Sequence, residues 1–269
     1  MKIFKFLFFL LIIGVCVLFY SWKIEPNMLK TEYVEVESEK IKRDVTVAIL
    51  SDVHLKADYP VEKLAEAVDR INAENPDAVI FLGDLFDNYS SYEGEEEEMT
   101  AALTGLAAPL KLCVYGNHDY GGRGANAYRE IMENAGFEIF KNQSLETEWG
   151  IRFTGLDDYI FGQREEMQCT SDSYNFVFAH APDSLEYVSG SDFFTAGHSH
   201  GGQVRIPFLK PSWLPFGAQK LGYWRGMYQN DDGSKVYVTR GTGTSLYTLR
   251  LFNVPEITIC KFSKKSVEK

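Results

Sequence analysis

The sequence predicts an α/β fold in which two mixed β-sheets pack on each other, with helices flanking them and one apolar helix ahead of them. Three successive units, each running from a buried strand through a polar cluster into an amphipathic helix, predict parallel strands in the first sheet. Short β runs after residue 137 predict the second sheet. The chain has 269 residues, enough to bury one large core, so we expect a single globular domain behind the apolar helix.

The start of the chain predicts a membrane anchor. Two lysines precede an uncharged run, Phe6 to Trp22, and with the apolar residues just before it this gives about 20 positions, or about 30 Å of helix. A cleaved signal peptide is the alternative, but the end of the run lacks the small residues that a signal peptidase requires. The preceding lysines favour a cytoplasmic N-terminus and an extracytoplasmic body, although Lys23 and Lys30 reduce this imbalance. We expect residues 1–22 to anchor a single-pass protein of the cell membrane.

The first strand–cluster–helix unit follows a linker. Residues 23–44 hold an alternating segment, Tyr33 to Glu37, which predicts a first edge strand. Val45 to Leu50 is almost entirely apolar or β-branched, as in a strand that is buried on both faces. It ends in a cluster with Asp52 and His54. A helix is then predicted from about Val61 to Asn75, because apolar residues recur on one face of it, at Leu64, Ala67, Val68 and Ile71.

Two further units repeat this order. A strand from Ala78 to Leu82 leads to a cluster with Asp84 and Asp87, and a helix is predicted from about Glu95 to Ala107. A strand from Leu112 to Tyr115 leads to the segment Gly116-Asn117-His118-Asp119, and a third helix follows with Tyr128, Ile131, Met132 and Ala135. Right-handed crossovers bring the ends of such strands to one edge of the sheet, so we expect the three polar clusters to lie together.

The pattern changes after residue 137. Short apolar runs predict strands of the second sheet at Glu138–Phe140, Ile151–Gly155, Phe176–Ala179, Phe193–Ala196, Gln203–Ile206, Val236–Thr239 and Ile257–Phe262. The stretch from Pro207 to Gly226 is rich in proline and aromatic residues and has no regular period. No repeat or low-complexity linker divides this part, so residues 45–269 are taken as one domain.

Composition and missing motifs exclude several classes of protein. The net charge of -11 argues against a non-specific nucleic-acid binder, which would carry a basic surface. The four cysteines have no CxxC spacing, so neither a cysteine zinc site nor a disulfide framework is indicated. HExxH and P-loop motifs are missing from the sequence, which removes zincin proteases and P-loop enzymes.

The histidines indicate a metal centre. All five, His54, His118, His180, His198 and His200, stand at the end of an apolar run or in a glycine-rich loop. A single histidine in such a place is usually structural, but here three further possible ligands, Asp52, Asp84 and Asn117, accompany the set. Imidazole, carboxylate and amide ligands without thiolate suit manganese, iron or zinc. His118 is also suited to giving a proton to a departing oxygen.

The order of these motifs resembles the calcineurin-like metallophosphoesterases. The set is Asp52-x-His54, Gly83-Asp84, Gly116-Asn117-His118-Asp119, His180 and Gly197-His198-Ser199-His200. Three tail segments, Gly201 to Arg205, Arg240 to Gly243 and Arg250 to Ile257, together with the anchor, resemble the membrane-associated YkuE-like bacterial subgroup. The resemblance implies an αββα sandwich and an enzyme that hydrolyses phosphoester bonds.

The resemblance also implies roles for the site residues. Two divalent ions, manganese first, would be held by Asp52, His54, Asp84 and His200 and by Asp84, Asn117, His180 and His198. A hydroxide bridging the ions would attack phosphorus in line. His118 would protonate the leaving oxygen, and the Asp87 carboxylate, with Asp119 as a second choice, would orient His118.

Three functions follow, in decreasing order of support. The first is a membrane-anchored hydrolase of phosphodiester or phosphomonoester bonds in a phosphorylated small molecule. The second keeps this chemistry for a lipid-linked or cell-envelope substrate, since members of the superfamily cleave UDP-diacylglucosamine. The aromatic stretch up to Trp224, including Trp213 and Phe216, would then present an acyl chain, unless it only packs the second sheet or caps the site. The third is a non-catalytic metal-binding envelope protein.

Overall fold

The computed structural model describes residues 1–56, 59–170, 172–209, 211 and 214–265. Its α-helices are α1 (Lys2–Phe19), α2 (Val61–Ala73), α3 (Glu96–Thr104), α4 (Asn117–Tyr120) and α5 (Ala125–Asn134). Its strands are β1 (Lys30–Ser38), β2 (Val45–Leu50), β3 (Ala78–Phe81), β4 (Leu110–Cys113), β5 (Glu138–Ile139), β6 (Gln143–Glu146), β7 (Ile151–Gly155), β8 (Met167–Gln168), β9 (Tyr174–Phe178), β10 (Val188–Ser189), β11 (Phe193–Ala196), β12 (Gly226–Gln229), β13 (Lys235–Val238) and β14 (Glu256–Lys264).

The N-terminal helix stands apart from the domain. α1 continues through a π-helical turn, Tyr20–Ile24, and a 3-10 turn, Glu25–Asn27. None of the residues of α1 is buried. By length and composition the whole stretch, Lys2–Asn27, is able to cross a membrane.

The first sheet has the order β1-β14-β2-β3-β4-β5. Strands β2, β3 and β4 are parallel, as the three repeated units predict, and β5 pairs parallel to β4. The amphipathic helices α2, α3 and α5 cover one face of it, and their apolar residues, such as Leu64, Leu103 and Ile131, pack with Leu50 and Phe81. The C-terminal ends of β2, β3 and β4 therefore form one edge, from which the three polar clusters extend.

The second sheet packs on the other face of the first. Its order is β12-β13-β11-β9-β7-β6, and β8 pairs with β10 beside it. A core of aromatic and β-branched side chains joins the sheets, including Val47, Ile80, Phe153, Phe176 and Phe193. The outer face of the second sheet packs against a 3-10 helix, Pro182–Tyr187, which contributes the buried Leu185.

Three strand predictions need correction. The runs Glu138–Phe140 and Ile257–Phe262 belong to the first sheet, as β5 and β14, and not to the second. β14 buries Ile257 and Ile259 under the helices and Cys260 and Phe262 between the sheets, and a run that is apolar on both faces does not reveal its sheet. The predicted strand Gln203–Ile206 is wrong, because only Val204 forms a bridge there, to Leu251.

Other boundaries differ in smaller ways. β4 begins two residues before the predicted strand, and the segment after it forms the short helix α4. β6 and β12 were not predicted, because both lie at the edges of the second sheet and carry polar residues. Among its described residues the irregular aromatic stretch has no helix or strand before β12, and Trp213 within it lies outside the described residues.

Candidate metal centre

Several of the predicted ligands adopt the left-handed backbone conformation. The φ angles are 52° at Asp52, 50° at His54, 58° at Asp84, 65° at His198 and 48° at His200. Residues with a side chain rarely adopt this region, and it is enriched at functional sites, where the surrounding structure must compensate the strain. Here it turns side chains from separate loops toward one point.

Two glycines let the loops approach each other closely. A Cβ atom on Gly83, whose φ is 90°, would lie 2.2 Å from the backbone nitrogen of Gly116. A Cβ atom on Gly116 would lie 2.2 Å from Oδ1 of Asp84. Only glycine fits at both positions. The close contact between the β3 and β4 loops therefore requires the glycine of the Gly-Asp pair and that of the Gly-Asn pair.

The first cluster joins the β2 and β3 loops to His200. Nε2 of His54 lies 3.3 Å from Oδ2 of Asp84 and 4.0 Å from Oδ1 of Asp52. Nε2 of His200 lies 3.0 Å from Nε2 of His54 and 3.6 Å from Oδ1 of Asp52. All four side chains are buried.

The second cluster shares Asp84 with the first. Nε2 of His180 lies 3.2 Å from Oδ2 of Asp84 and 3.1 Å from Oδ1 of Asn117. Nδ1 of His198 lies 3.0 Å from Nε2 of His180. The structure thus brings all seven predicted ligand residues together, with one carboxylate oxygen of Asp84 between the two groups.

These spacings suit divalent ions. An octahedral ion whose ligands lie at about 2.1 Å holds neighbouring ligand atoms about 3.0 Å apart. Two pairs of imidazole nitrogens lie at that distance. A hydrogen bond between the rings does not by itself explain both pairs. The donors are imidazole nitrogens and carboxylate or amide oxygens, a set that manganese, iron and zinc accept.

Hydrogen bonds fix which ring nitrogen of each histidine faces the cluster. Nδ1 of His180 contacts the carbonyl oxygen of Leu82 at 2.8 Å, and Nε2 of His198 contacts that of Phe216 at 2.8 Å. Nδ1 of His54 contacts Oδ1 of Asp87 at 3.1 Å. Such partners orient metal-binding imidazoles and select their tautomer. His200 is the exception, since its buried Nδ1 has no hydrogen-bond partner among the described residues.

The support for His118 differs from the sequence prediction. Nδ1 of His118 contacts the backbone carbonyl oxygen of Asp87 at 2.5 Å, whereas the Asp87 carboxylate contacts His54 and, at 3.6 Å, Nζ of Lys56. The expectation that the Asp87 carboxylate orients His118 is therefore wrong, because the backbone carbonyl of Asp87 makes this contact instead. The other expected partner, Asp119, does not orient His118 either. Its carboxylate accepts hydrogen bonds from the backbone nitrogens of Asp84, Leu85 and Gly116.

A cavity of about 590 Å³ opens beside the clusters. Its polar residues include Asp84, Asn117, His118, His198 and His200. Its apolar residues are Ile160, Val204, Pro215, Phe216, Leu246 and Tyr247. The site therefore joins a metal-binding end to an apolar wall, and Phe216 connects the aromatic stretch to the site.

The family assignment follows from the comparison with family models. The model described as calcineurin-like phosphoesterase matches residues 45–210, more than half of the chain. The chain belongs to the calcineurin-like phosphoesterase family. It is thus a metal-dependent phosphoesterase, a hydrolase of phosphoester bonds. Enzymes of the calcineurin-like phosphoesterase family bind two metal ions, and the clusters described above are groups able to bind metal.

Bacterial relatives of this phosphoesterase cover most of its length. An uncharacterized metallophosphoesterase, YkuE, of Bacillus subtilis is 33% identical over 92% of this chain and 89% of its own. The phosphodiesterase YaeI of Escherichia coli is 31% identical over 79% of this chain and 80% of its own. The UDP-2,3-diacylglucosamine pyrophosphatase LpxG of Chlamydia muridarum is 24% identical over 93% and 94%. The predicted YkuE-like membership is confirmed.

A solved structure agrees with the fold. A dimetal phosphatase from Danio rerio superposes with a TM-score of 0.50, covering 75% of this phosphoesterase and 88% of that chain at 13% identity. At this identity the likeness concerns the fold alone. It confirms the predicted pair of packed sheets flanked by helices.

In the phosphoesterase site, the pKa of a carboxylate and the pKa values of two histidines are shifted in opposite directions. Burial acts to raise the pKa of Asp84, but His180 and His118 hold that pKa well below its usual value. Burial acts to lower the pKa values of His54 and His180, yet the neighbouring carboxylates raise them to about 9 and about 10. Divalent ions must displace these protons, so ion binding releases protons and weakens as the pH falls.

The tail motifs form hydrogen bonds that support the loops of the metal clusters. The backbone nitrogen of Gly243 donates to the carbonyl oxygen of Asp52 at 2.7 Å. The buried guanidinium of Arg250 donates to the carbonyl oxygens of Arg240, Gly241 and Gly243. The amide of Asn253 donates to the carbonyl oxygen of His200 at 2.5 Å. Sequence analysis recognised these motifs without giving them this role.

The position of Asp87 leads to a prediction. In Asp87→Asn, the affinity for divalent ions is expected to fall about tenfold to a hundredfold, because the charge that supports His54 as a ligand is lost. The proton transfer through His118 should be preserved, since the backbone carbonyl at position 87 is unchanged. Titration of the apoprotein with manganese measures the first effect. A pH profile at saturating ion measures the second, and a shifted profile with normal ion affinity would contradict this assignment.

Proposed function

We propose that this phosphoesterase is a membrane-anchored, binuclear-metal hydrolase of phosphodiester or phosphomonoester bonds. One ion would be held by Asp52, His54, Asp84 and His200, and the other by Asp84, Asn117, His180 and His198. Manganese is the first candidate, with iron and zinc as alternatives. The observation that carries the proposal is the position of Oδ2 of Asp84, 3.3 Å from Nε2 of His54 and 3.2 Å from Nε2 of His180.

The ions account for one part of the chemistry. When bound, they supply Lewis-acid activation of a water molecule and neutralise charge on the phosphoryl oxygens. They also let an acidic protein bind an anion, since two divalent charges exceed those of the Asp52 and Asp84 carboxylates. The buried position of these carboxylates keeps solvent from screening that positive field.

His118 accounts for the other part. Its Nδ1 is engaged by the carbonyl of Asp87, which leaves Nε2 to donate to a group in the cavity. Its backbone nitrogen donates to Oδ1 of Asp84 at 2.8 Å, so the position of His118 is fixed relative to that of Asp84. We assign His118 the protonation of the leaving oxygen, and Asp87 the positioning of both His118 and His54.

The membrane assignment rests on the N-terminal helix. The stretch Lys2–Asn27 is long and apolar enough to span a bilayer. None of the residues of α1 is buried by the rest of the described chain. A helix that is apolar on all sides and has no protein partner is stable only in an apolar environment. We propose a single-pass protein of the cell membrane with its catalytic domain on the extracytoplasmic side, as the lysines before the span favour.

The test is hydrolysis of two soluble substrates by the full chain in detergent. We expect activity on bis-p-nitrophenyl phosphate that requires manganese, iron or zinc, disappears after chelation and returns when the ion is restored. The ratio to p-nitrophenyl phosphate then separates a diesterase from a monoesterase. A folded, ion-loaded protein that cleaves neither substrate, nor a lipid-linked phosphodiester, would overturn the enzymatic proposal in favour of a non-catalytic envelope protein.

A lipid-linked or cell-envelope substrate is the second candidate. The apolar wall of the cavity, with Val204, Phe216 and Leu246, favours it, because a small phosphoester would leave that wall unused. The relative that acts on UDP-2,3-diacylglucosamine, a lipid-linked pyrophosphate, also supports it. The alternative, that the aromatic stretch only caps the site, is supported by the contact of the Phe216 carbonyl with His198.

A further inference from the structure

An apolar rim lies next to the metal cavity, because its two loops also carry Val204, Leu246 and Tyr247, which line that cavity. We use this name for six exposed side chains on two loops, Ile206, Phe208, Leu209, Leu246, Tyr247 and Phe252. Their exposed fractions run from 57% at Phe252 to complete exposure at Phe208. Single exposed apolar residues need no explanation, but a contiguous group at the entrance of a site indicates a surface that something covers.

Hydrogen bonds join the two loops of the rim into one unit. The Gln203 side-chain amide donates to the carbonyl oxygens of Ser245 and Tyr247, and its Oε1 accepts from the backbone nitrogen of Ser245. The backbone nitrogen of Arg205 donates to the carbonyl oxygen of Leu251 at 2.9 Å. The rim is thus held in a fixed shape, and a flat partner can contact it without first ordering it.

The same unit is fixed to the base of the N-terminal helix. The buried Glu25 carboxylate accepts hydrogen bonds from the backbone nitrogens of Phe252 and Asn253. The carbonyl oxygen of Ser21 accepts one from the backbone nitrogen of Arg250 at 2.8 Å. A buried carboxylate needs such partners to offset its desolvation, so this junction resists being pulled apart.

The strand directions place this junction at the metal edge of the first sheet. β14 is antiparallel to β2 and parallel to β1, so β1 and β14 start at the edge where β2, β3 and β4 end. Lys30, the first residue of β1, follows the helical stretch by only two residues. The helix therefore leaves the domain from the side that carries the metal cluster, and the opposite edge lies about 30 Å away along the nine residues of β1.

The charges of this side differ from those of the whole protein. Residues 197–222 and 241–255 contain no aspartate or glutamate, whereas the chain has a net charge of -11. Arg250 in these ranges is fully buried and Lys220 pairs with Glu186, so the feature that sets these loops apart is the lack of acidic side chains. Acidic side chains near an anionic lipid surface would be repelled, and basic ones attracted. The loops that carry the rim are thus the part of this acidic domain that is suited to approach phospholipids.

We propose that the apolar rim docks on the lipid bilayer in which the N-terminal helix is embedded, so that the mouth of the metal cavity faces the lipid headgroups. This rests on the proposed membrane anchoring and extends it from a tether to a fixed orientation. A phosphoester at the bilayer surface would reach the metal cluster without leaving the membrane, while its apolar portion contacts the cavity wall.

The test measures the depth of the rim in a membrane. The full chain, with Cys16 and Cys169 replaced by serine, is labelled with the fluorophore NBD at Phe208→Cys and reconstituted in phosphatidylcholine–phosphatidylglycerol vesicles. Nitroxide-bearing phospholipids are expected to quench most of this fluorescence. The matched control is Glu39→Cys, an exposed position just after the far end of β1, which should not be quenched.

The outcomes separate this proposal from the proposed function. A label at position 208 that stays unquenched, like that at position 39, overturns the docking surface, and a shielded but unquenched label indicates contact with protein instead. Neither reading depends on catalysis. In the double variant Ile206→Ser, Phe208→Ser, hydrolysis of soluble bis-p-nitrophenyl phosphate should be unchanged, while quenching at a label on Leu209→Cys should fall. If the unmodified, ion-loaded enzyme cleaves neither the soluble substrates nor a lipid-linked phosphodiester but its rim is quenched, the proposed function fails and the docking surface stands.

Discussion

Hydrolysis of bis-p-nitrophenyl phosphate is expected to fall about a thousandfold in Asp84→Asn, since several kcal/mol of charge stabilisation by the ion pair depend on this residue. Oδ2 of Asp84 lies 3.3 Å from Nε2 of His54 in one cluster and 3.2 Å from Nε2 of His180 in the other. An amide has the same shape but carries no negative charge, and only its oxygen can bind an ion. The substitution therefore removes the shared ligand without creating a cavity.

The measurement combines rates with ion content. The variant is expected to bind at most one ion per chain, which elemental analysis after dialysis would show, whereas the unmodified protein should bind two. Asp69→Asn is a matched control, because Asp69 is exposed on α2 and far from the polar clusters in the fold. A variant with two ions and an unchanged rate would show that the clusters are not the catalytic centre.

The candidate ligands could be grouped from sequence because these residues follow the ends of strands. Where a buried strand stops, the next polar residues must lie at the sheet edge, and parallel strands bring those edges together. Asp52, Asp84 and Asn117 follow β2, β3 and β4 in this way. His180 and His198 follow β9 and β11 of the second sheet, whose packing on the first brings them to the same place.

The partners of His118 could not be predicted in the same way. Both the backbone and the carboxylate of Asp87 lie near histidines, and which of them reaches His118 depends on the turn between β3 and α3 and on the short helix α4. Asp119 is a buried residue of that helix, and its carboxylate accepts hydrogen bonds from three backbone nitrogens. This role is set by loop geometry. Sequence spacing carries no information on such choices between neighbouring acceptors.

The sheet to which a strand belongs was similarly undetermined. β14 is apolar on both faces, and its pattern fits either sheet. Its place between β1 and β2 follows from pairing over five residues with β2, antiparallel, and nine with β1. That placement matters for function, because it carries the loop of Arg250 and Asn253 to the back of the metal cluster and to the base of the N-terminal helix.

His118→Gln is expected to slow the enzyme by an amount that depends on the leaving group. Without an acid to protonate the departing oxygen, hydrolysis of an alkyl phosphodiester should fall about a hundredfold to ten-thousandfold. Hydrolysis of bis-p-nitrophenyl phosphate should fall far less, because p-nitrophenolate leaves readily without a proton. Glutamine keeps a polar side chain of similar reach, so the loss measures the proton and not an empty space.

The same variant decides between the two roles that the geometry allows His118. Its ring lies within 4.8 Å of ligand atoms of His54 and Asp84, close enough to bind an ion with them. If it were a ligand, ion content would fall in His118→Gln and both substrates would lose rate equally. If it is the acid, two ions remain and only the ratio between the substrates changes. The contact of Nδ1 with the Asp87 carbonyl favours the second result, since it points Nε2 toward the cavity where the leaving oxygen must lie.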